Sequence, residues 1–156
     1  MFNAPEEVIR EVLALEQAKN NLVIRAKAQN DFMAFVKHVY EGFIEGDHHK
    51  KVAQKFEKLA ANPGSRIIVN MPPRHTKSEF ASYLLPAWLI GKNPTLKIIQ
   101  TTHTAELAVR FGRKVRNLME LDLYKAIFPD VELRVDSKAA GRWDPVVLER
   151  FNGEIN

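Results

Sequence analysis

The stretch from Arg66 to Ser78, R-I-I-V-N-M-P-P-R-H-T-K-S, constrains the fold more than any other part of this chain. Ile67, Ile68 and Val69 are consecutive and β-branched, the pattern of a strand covered on both faces. Pro72 and Pro73 lack the donor N–H and cannot continue a central strand, so the chain must leave the sheet there. Beyond them Phe80, Leu84, Leu85 and Trp88 recur at helical spacing, which predicts a helix from Lys77 to about Ile90. Pro86 should kink or shorten that helix, and Gly91 can end it. A second strand is predicted at Lys97–Thr101 and a further helix from about Thr104 to Glu120. Strand, helix, strand, helix in that order predicts an α/β domain: a parallel sheet with right-handed crossovers.

The upstream third reads as helical. A first helix is expected from Pro5 to about Lys19, with Val8, Val12 and Leu15 on one face. A second should run from Asp31 to Phe43 on the stripe Phe32, Phe35, Val36, Val39 and Phe43. A third, from Asp47 to Ala61, should bury Val52, Phe56 and Leu59 and stop at Asn62-Pro63-Gly64. Asp31 and Asp47 fit helix N-caps better than paired catalytic carboxylates. The expected organisation is a helical lead-in over 1–62, a nucleotide-binding segment over 63–143 and a divergent tail over 144–156.

Length and composition set outer limits. With 156 residues and 46% apolar content, the chain can bury a real core and is not a disordered tail. No apolar run approaches the roughly 18 residues of a spanning helix. Glu6, Glu7 and Glu11, with no apolar h-region, do not read as a secretory signal. The absence of cysteine excludes disulfides and thiolate metal sites and fits an intracellular protein. A formal charge of +4 mildly favours a polyanionic partner.

The loop carries the chemistry. Exposed N–H groups at a helix start, aided by the helix dipole, attract a phosphate. In that setting Lys77 would reach the outer phosphates of a nucleotide and the Ser78 hydroxyl would coordinate Mg²⁺. The usual pattern, G-x-x-x-x-G-K-[ST], has two glycines. Here Met71 and Thr76 stand in their places. Thr76 must therefore take a backbone shape that a β-branched residue resists. The alternative is an ordinary strand-to-helix connection with an exposed Lys-Ser pair.

Two further groups need weighing. On the helix after the second strand, Leu107, Phe111, Val115 and Leu118 share one arc, which should face the sheet. Arg110, Arg113 and Arg116 lie opposite, with Lys114 at the boundary. They are either a solvated face or a ridge that contacts DNA phosphates. His48 and His49 are adjacent and would diverge by about 100° on a helix, a poor chelating pair. His38, His75 and His103 share no ligand spacing with them. His75 can hydrogen-bond phosphate or simply shape the loop.

Residues 70 to 94, N-M-P-P-R-H-T-K-S-E-F-A-S-Y-L-L-P-A-W-L-I-G-K-N-P, resemble the large terminase subunit of tailed bacteriophages. So do residues 100 to 118, Q-T-T-H-T-A-E-L-A-V-R-F-G-R-K-V-R-N-L, together with Tyr124, Phe128-Pro129 and Ala139-Ala140-Gly141-Arg142-Trp143. The resemblance spans roughly residues 30 to 143. It implies the ATP-binding part of a motor that drives double-stranded DNA into a preformed capsid in the host cell cytoplasm. It further implies a P-loop ATPase fold with additional strands, a following nuclease domain, a portal protein and small terminase subunit as partners, and a homo-oligomeric ring of the complete protein. Arg74, His75, Thr76, Lys77 and Ser78 fall on that family's deviant Walker A loop. ATP and Mg²⁺ are the implied cofactors, Lys77 and Ser78 inherit the phosphate and magnesium roles, and Arg74 is the candidate cis arginine finger. His49 lies where relatives carry an adenine-contacting residue.

The chain also departs from that family. Its Walker B element is an apolar run ending in two acids. Here Val131–Asp136 alternates with Glu132 and Arg134 and reads as an edge or half-exposed strand. After Trp143 the sequence D-P-V-V-L-E-R-F-N-G-E-I-N replaces the family's Gly-rich stretch, as in a truncated or split gene. Three readings stay open: the nucleotide-binding part of a packaging ATPase, a basic nucleic-acid-binding domain that uses no ATP, or an inactive remnant exposing a sheet edge.

Overall fold

The computed structural model describes residues 6–62, 64–134, 143 and 145–147. Among these the order is α1 (Glu6–Asn30), α2 (Phe32–Val39), α3 (Asp47–Ala61), α4 (Lys77–Glu79), a π-helical turn (Phe80–Leu84), α5 (Leu85–Lys92), α6 (Ala105–Glu120), α7 (Asp122–Ile127), β1 (Val131–Leu133) and β2 (Pro145–Val147).

The helices begin and end where local chemistry allows. Asp31 caps α2, its Oδ1 accepting from the Ala34 N–H at 2.8 Å. Glu57 Oε1 accepts from the Phe32 N–H at 2.8 Å and ties α3 to the same turn. Helix α2 stops at Tyr40, short of Phe43, and Gly42 turns the chain at φ +71°. Gly46, not Asp47, holds the cap position of α3, and Asp47 is that helix's first residue. Thr104 caps α6 through its hydroxyl to the Leu107 N–H. Pro86 does not break the helix that follows the loop. Its missing N–H falls at the end of the π-helical turn, and the Ser82 carbonyl accepts from Gln100 Nε2 instead. Gly91 sits inside the last turn of α5. A Cβ there would lie 2.4 Å from the Phe128 ring, so the glycine permits close packing rather than ending the helix.

An aromatic cluster forms the centre of the core. Phe32 is fully buried and meets Phe56, Phe80 and Trp88 edge-on at centroid distances of 5.8, 5.6 and 5.5 Å. Both polar handles among the buried rings are satisfied. Trp88 Nε1 donates to the Ala28 carbonyl at 3.0 Å, and Tyr124 Oη donates to the Ala87 carbonyl at 2.9 Å. Burial pushes the Tyr124 phenol well above its ordinary range. Val115, Leu118 and Met119 of α6 join this core.

The expected parallel sheet is not there. Residues 65–72 and 96–102 carry no strand. The described residues hold only an antiparallel pair of three-residue strands, with Val131 opposite Val147. The molecule is mostly helical, so the α/β P-loop architecture inferred from the sequence is corrected. The physical reason is that β-branched runs supply propensity, whereas a strand exists only against a neighbour. Ile67 and Val69 are half-buried against the core, but Ile68 is 88% and Ile99 89% exposed. The second face of each run has nothing to pack on. Helix α6 accordingly buries its apolar arc against the π-helical turn, α5, α7 and β1, not against a sheet. Of the Val131–Asp136 stretch expected to alternate as a half-exposed strand, Val131–Leu133 forms β1 and does alternate. Asp136 and residues 139–142 lie outside the described residues.

Candidate functional site

The loop between Met71 and Ser78 is held in an unusual shape. Thr76 is left-handed at φ 57°, ψ 10°, as its place in the loop pattern demands, and Arg74 is left-handed as well at φ 64°. A β-branched residue in that region costs about 1–3 kcal/mol and persists only when its surroundings over-determine it. Those surroundings are visible. His49 Nδ1 accepts from the Gly46 N–H at 2.9 Å, so the ring's proton sits on Nε2, which donates to Thr76 Oγ1 at 2.6 Å. The Thr76 hydroxyl then donates to the His75 carbonyl at 2.7 Å. His75 Nδ1 donates in turn to the Pro73 carbonyl at 2.9 Å.

His49 is therefore the anchor of the loop. It is buried, stacked on Phe80 at 5.1 Å and met edge-on by Phe43 at 4.9 Å. The expectation for His49 was contact with adenine. The structure places it beneath the loop, its ring nitrogens already engaged by Gly46 and Thr76. Desolvation, then the neighbouring His48 and His75, lower its pKa below the usual 6.5, against an opposing pull from Glu45.

A pH prediction follows. Because the folded-state pKa is depressed, this group's contribution to stability is present above about 6.5 and lost as pH falls through the folded value. Protonation would also set an Nδ1–H against the Gly46 N–H. Denaturant midpoints between pH 7.5 and 5.5 should fall more steeply for wild type than for His49→Leu. Parallel slopes would show that the ring does not couple the loop to pH.

The helix start presents donors. The N–H groups of Thr76, Lys77, Ser78 and Glu79 are the first four of the helix, and none donates to a described residue. Lys77 and Ser78 are exposed, and Lys77 Nζ folds back onto the Met71 carbonyl at 3.3 Å. Arg74 and His75 are exposed beside them. These residues fit a magnesium-bound polyphosphate chemically: unpartnered N–H donors, a flexible ammonium and a free-standing hydroxyl. Among the described residues no group of three or more His, Asp or Glu could hold a metal ion.

The basic ridge is not uniform. Lys114 pairs with both carboxylate oxygens of Glu79, at 2.7 and 2.8 Å, and lies 5.0 Å from the centre of the Tyr83 ring. It is committed to the helix behind the loop and is not part of a DNA-facing row. Arg110 and Arg113 are exposed, and Arg116 is half-buried. The Glu79–Lys114 pair and the His49–Thr76 tether were not expected from sequence. A larger cavity, about 660 Å³ and lined by Ile90, Leu96, Ile98, Val109 and Trp143, includes no loop residue. Among the described residues no helix is long and apolar enough to cross a membrane. No protein-family model, curated protein or solved structure matches this chain, so the terminase resemblance stands on the residues quoted for it alone.

Proposed function

We propose that the segment Arg74–Ser78 binds the phosphates of ATP with Mg²⁺, as the nucleotide-holding part of a terminase-type motor for viral DNA packaging in the host cytoplasm. The observation that carries the reading is the helix start itself: four adjacent N–H groups without an acceptor among the described residues, behind a loop held left-handed at Arg74 and Thr76. An anion is the ligand such a set of N–H donors favours. Lys77 supplies the outer-phosphate contact, Ser78 the metal ligand, and Arg74 a charge for the transferred phosphoryl group. Arg110 and Arg113 are the side chains available to a DNA backbone. The portal, the small subunit and a ring of copies belong to the complete motor.

The alternative of a basic domain that uses no nucleotide explains the charge but gives no role to the strained loop. The test is titration calorimetry with a non-hydrolysable ATP analogue, adenosine and inorganic triphosphate, each with Mg²⁺. The expected order is analogue and triphosphate binding, adenosine weak. Equal affinity for adenosine and the analogue, or no binding of either anion, would sink the proposal. Steady-state phosphate release, with and without DNA, is expected to stay far below motor rates, because among the described residues no acid is positioned at the loop to orient water. Glu79, the acid beside the loop, is held by Lys114.

A further inference from the structure

We infer that α1 pairs with α1 of a second copy of this chain, antiparallel, along the face that carries Val8, Val12, Leu15 and Leu22. Residues 6–24 of α1 are all exposed, including the aliphatic side chains they carry: Leu15 is 66% exposed, Leu22 62% and Val12 49%. An apolar surface of that kind marks an interaction site. Val8, Val12, Leu15, Lys19 and Leu22 follow a 4-3-4-3 spacing, the seam of a two-helix coiled coil with one charged position, Lys19. Ala28, the buried residue of α1, lies about 160° around the helix from Val8, so the seam points away from the body.

Charge selects the occupant and its direction. Glu6, Glu7, Glu11 and Glu16 fill the first half of α1, with Arg10 among them. Lys19, Arg25 and Lys27 fill the second. Parallel copies would set like charges side by side, whereas antiparallel copies set acids against bases. The register that puts Val12 opposite Leu22 also sets Glu11 beside Arg25 on one flank of the pair, and lays the Lys19 stem over Leu15. The body joins each α1 at its C-terminal end, where Gln29 Nε2 reaches the Ile127 carbonyl. The two bodies thus sit at opposite ends of the pair and do not collide. The contact is two-fold and closed, so it stops at a dimer.

Sedimentation equilibrium of the full chain tests this. The mass should rise from one chain to two as concentration passes through the micromolar range. Leu15→Lys, at an exposed position, should weaken association at least tenfold, with an unfolding midpoint equal to wild type at concentrations where both are monomers, and Lys19→Leu should strengthen association. Since the chain has no cysteine, a mixture of Val12→Cys and Leu22→Cys variants can be oxidised. The 12–22 cross-link should dominate over 12–12, because only the antiparallel register sets 12 against 22. A monomer at every concentration, a dimer indifferent to Leu15→Lys, or a dominant 12–12 cross-link would each overturn the inference. So would a chain that stays monomeric while co-sedimenting with vesicles of anionic phospholipid, because that would make a lipid surface the occupant.

Discussion

Phe32→Ala is expected to destabilise the protein by about 3–5 kcal/mol, the range for deleting a fully buried phenylalanine. Phe32 is 0% exposed, and its ring meets those of Phe35, Phe56, Phe80 and Trp88. Four helical segments converge on that ring, so no single one can shift to fill the space. Domains have about 5–15 kcal/mol in total, so the variant should be substantially unfolded at 37 °C. The effect reaches the loop as well, since Phe80 packs between Phe32 and the His49 ring. Urea unfolding is the measurement, with Ile99→Ala, at a position 89% exposed, as the control expected to change stability by less than about 0.5 kcal/mol. A loss under about 1 kcal/mol for Phe32→Ala would mean that this cluster is not the centre of the core.

How much of this was legible in the sequence depends on whether the cause was local. The stripe Phe32, Phe35, Val36 and Val39 predicted α2 and its buried face, and the Asp31 cap acts within three residues of itself. Helices α3 and α6 were legible for the same reason. The left-handed Thr76 was also legible, because the loop pattern demands it immediately before Lys77. The strands at 66–71 and 97–101 were misread. Ile67-Ile68-Val69 has the composition of a buried strand, but pairing is a property of two segments, and no neighbour lies beside this one among the described residues. Helix α1 was expected to stop near Lys19 and runs on to Asn30, because Asn20 and Asn21 weaken a helix without ending it.

Within the site, what stayed hidden spans distance. The His49–Thr76 hydrogen bond joins residues 27 apart, and the Glu79–Lys114 pair residues 35 apart. No spacing rule reaches that far. Lys114 illustrates the consequence: on its helix alone it extends a one-signed row, and only the packing of α6 beside the loop helix supplies the acid that takes it out. His49 shifted role for a similar reason. Its side-chain contacts are set by where α3 passes beneath the loop, which no local pattern records.

Lys77→Ala is expected to weaken binding of the ATP analogue by roughly 10- to 150-fold while leaving the unfolding midpoint unchanged. A hydrogen bond to a charged group is worth about 1.5–3 kcal/mol, and phosphate multiplies the charge it meets. The structure predicts little structural cost. Lys77 is exposed, and the side-chain hydrogen bond it makes among the described residues, to the Met71 carbonyl at 3.3 Å, joins two groups that water can serve as well. Ser78→Ala separates the metal from the phosphate. It should lower affinity for the analogue only when Mg²⁺ is present, whereas Lys77→Ala should lower it with or without the ion. His49→Leu offers a third signature, because it leaves both ligands in place and removes the tether on Thr76. Affinity should then fall together with loop order, and it should lose its dependence on pH below 6.5. If titration instead finds Lys77→Ala and wild type alike, the helix start does not face a phosphate. The strain at Arg74 and Thr76 would then serve the packing of Phe80 against His49 and nothing beyond it.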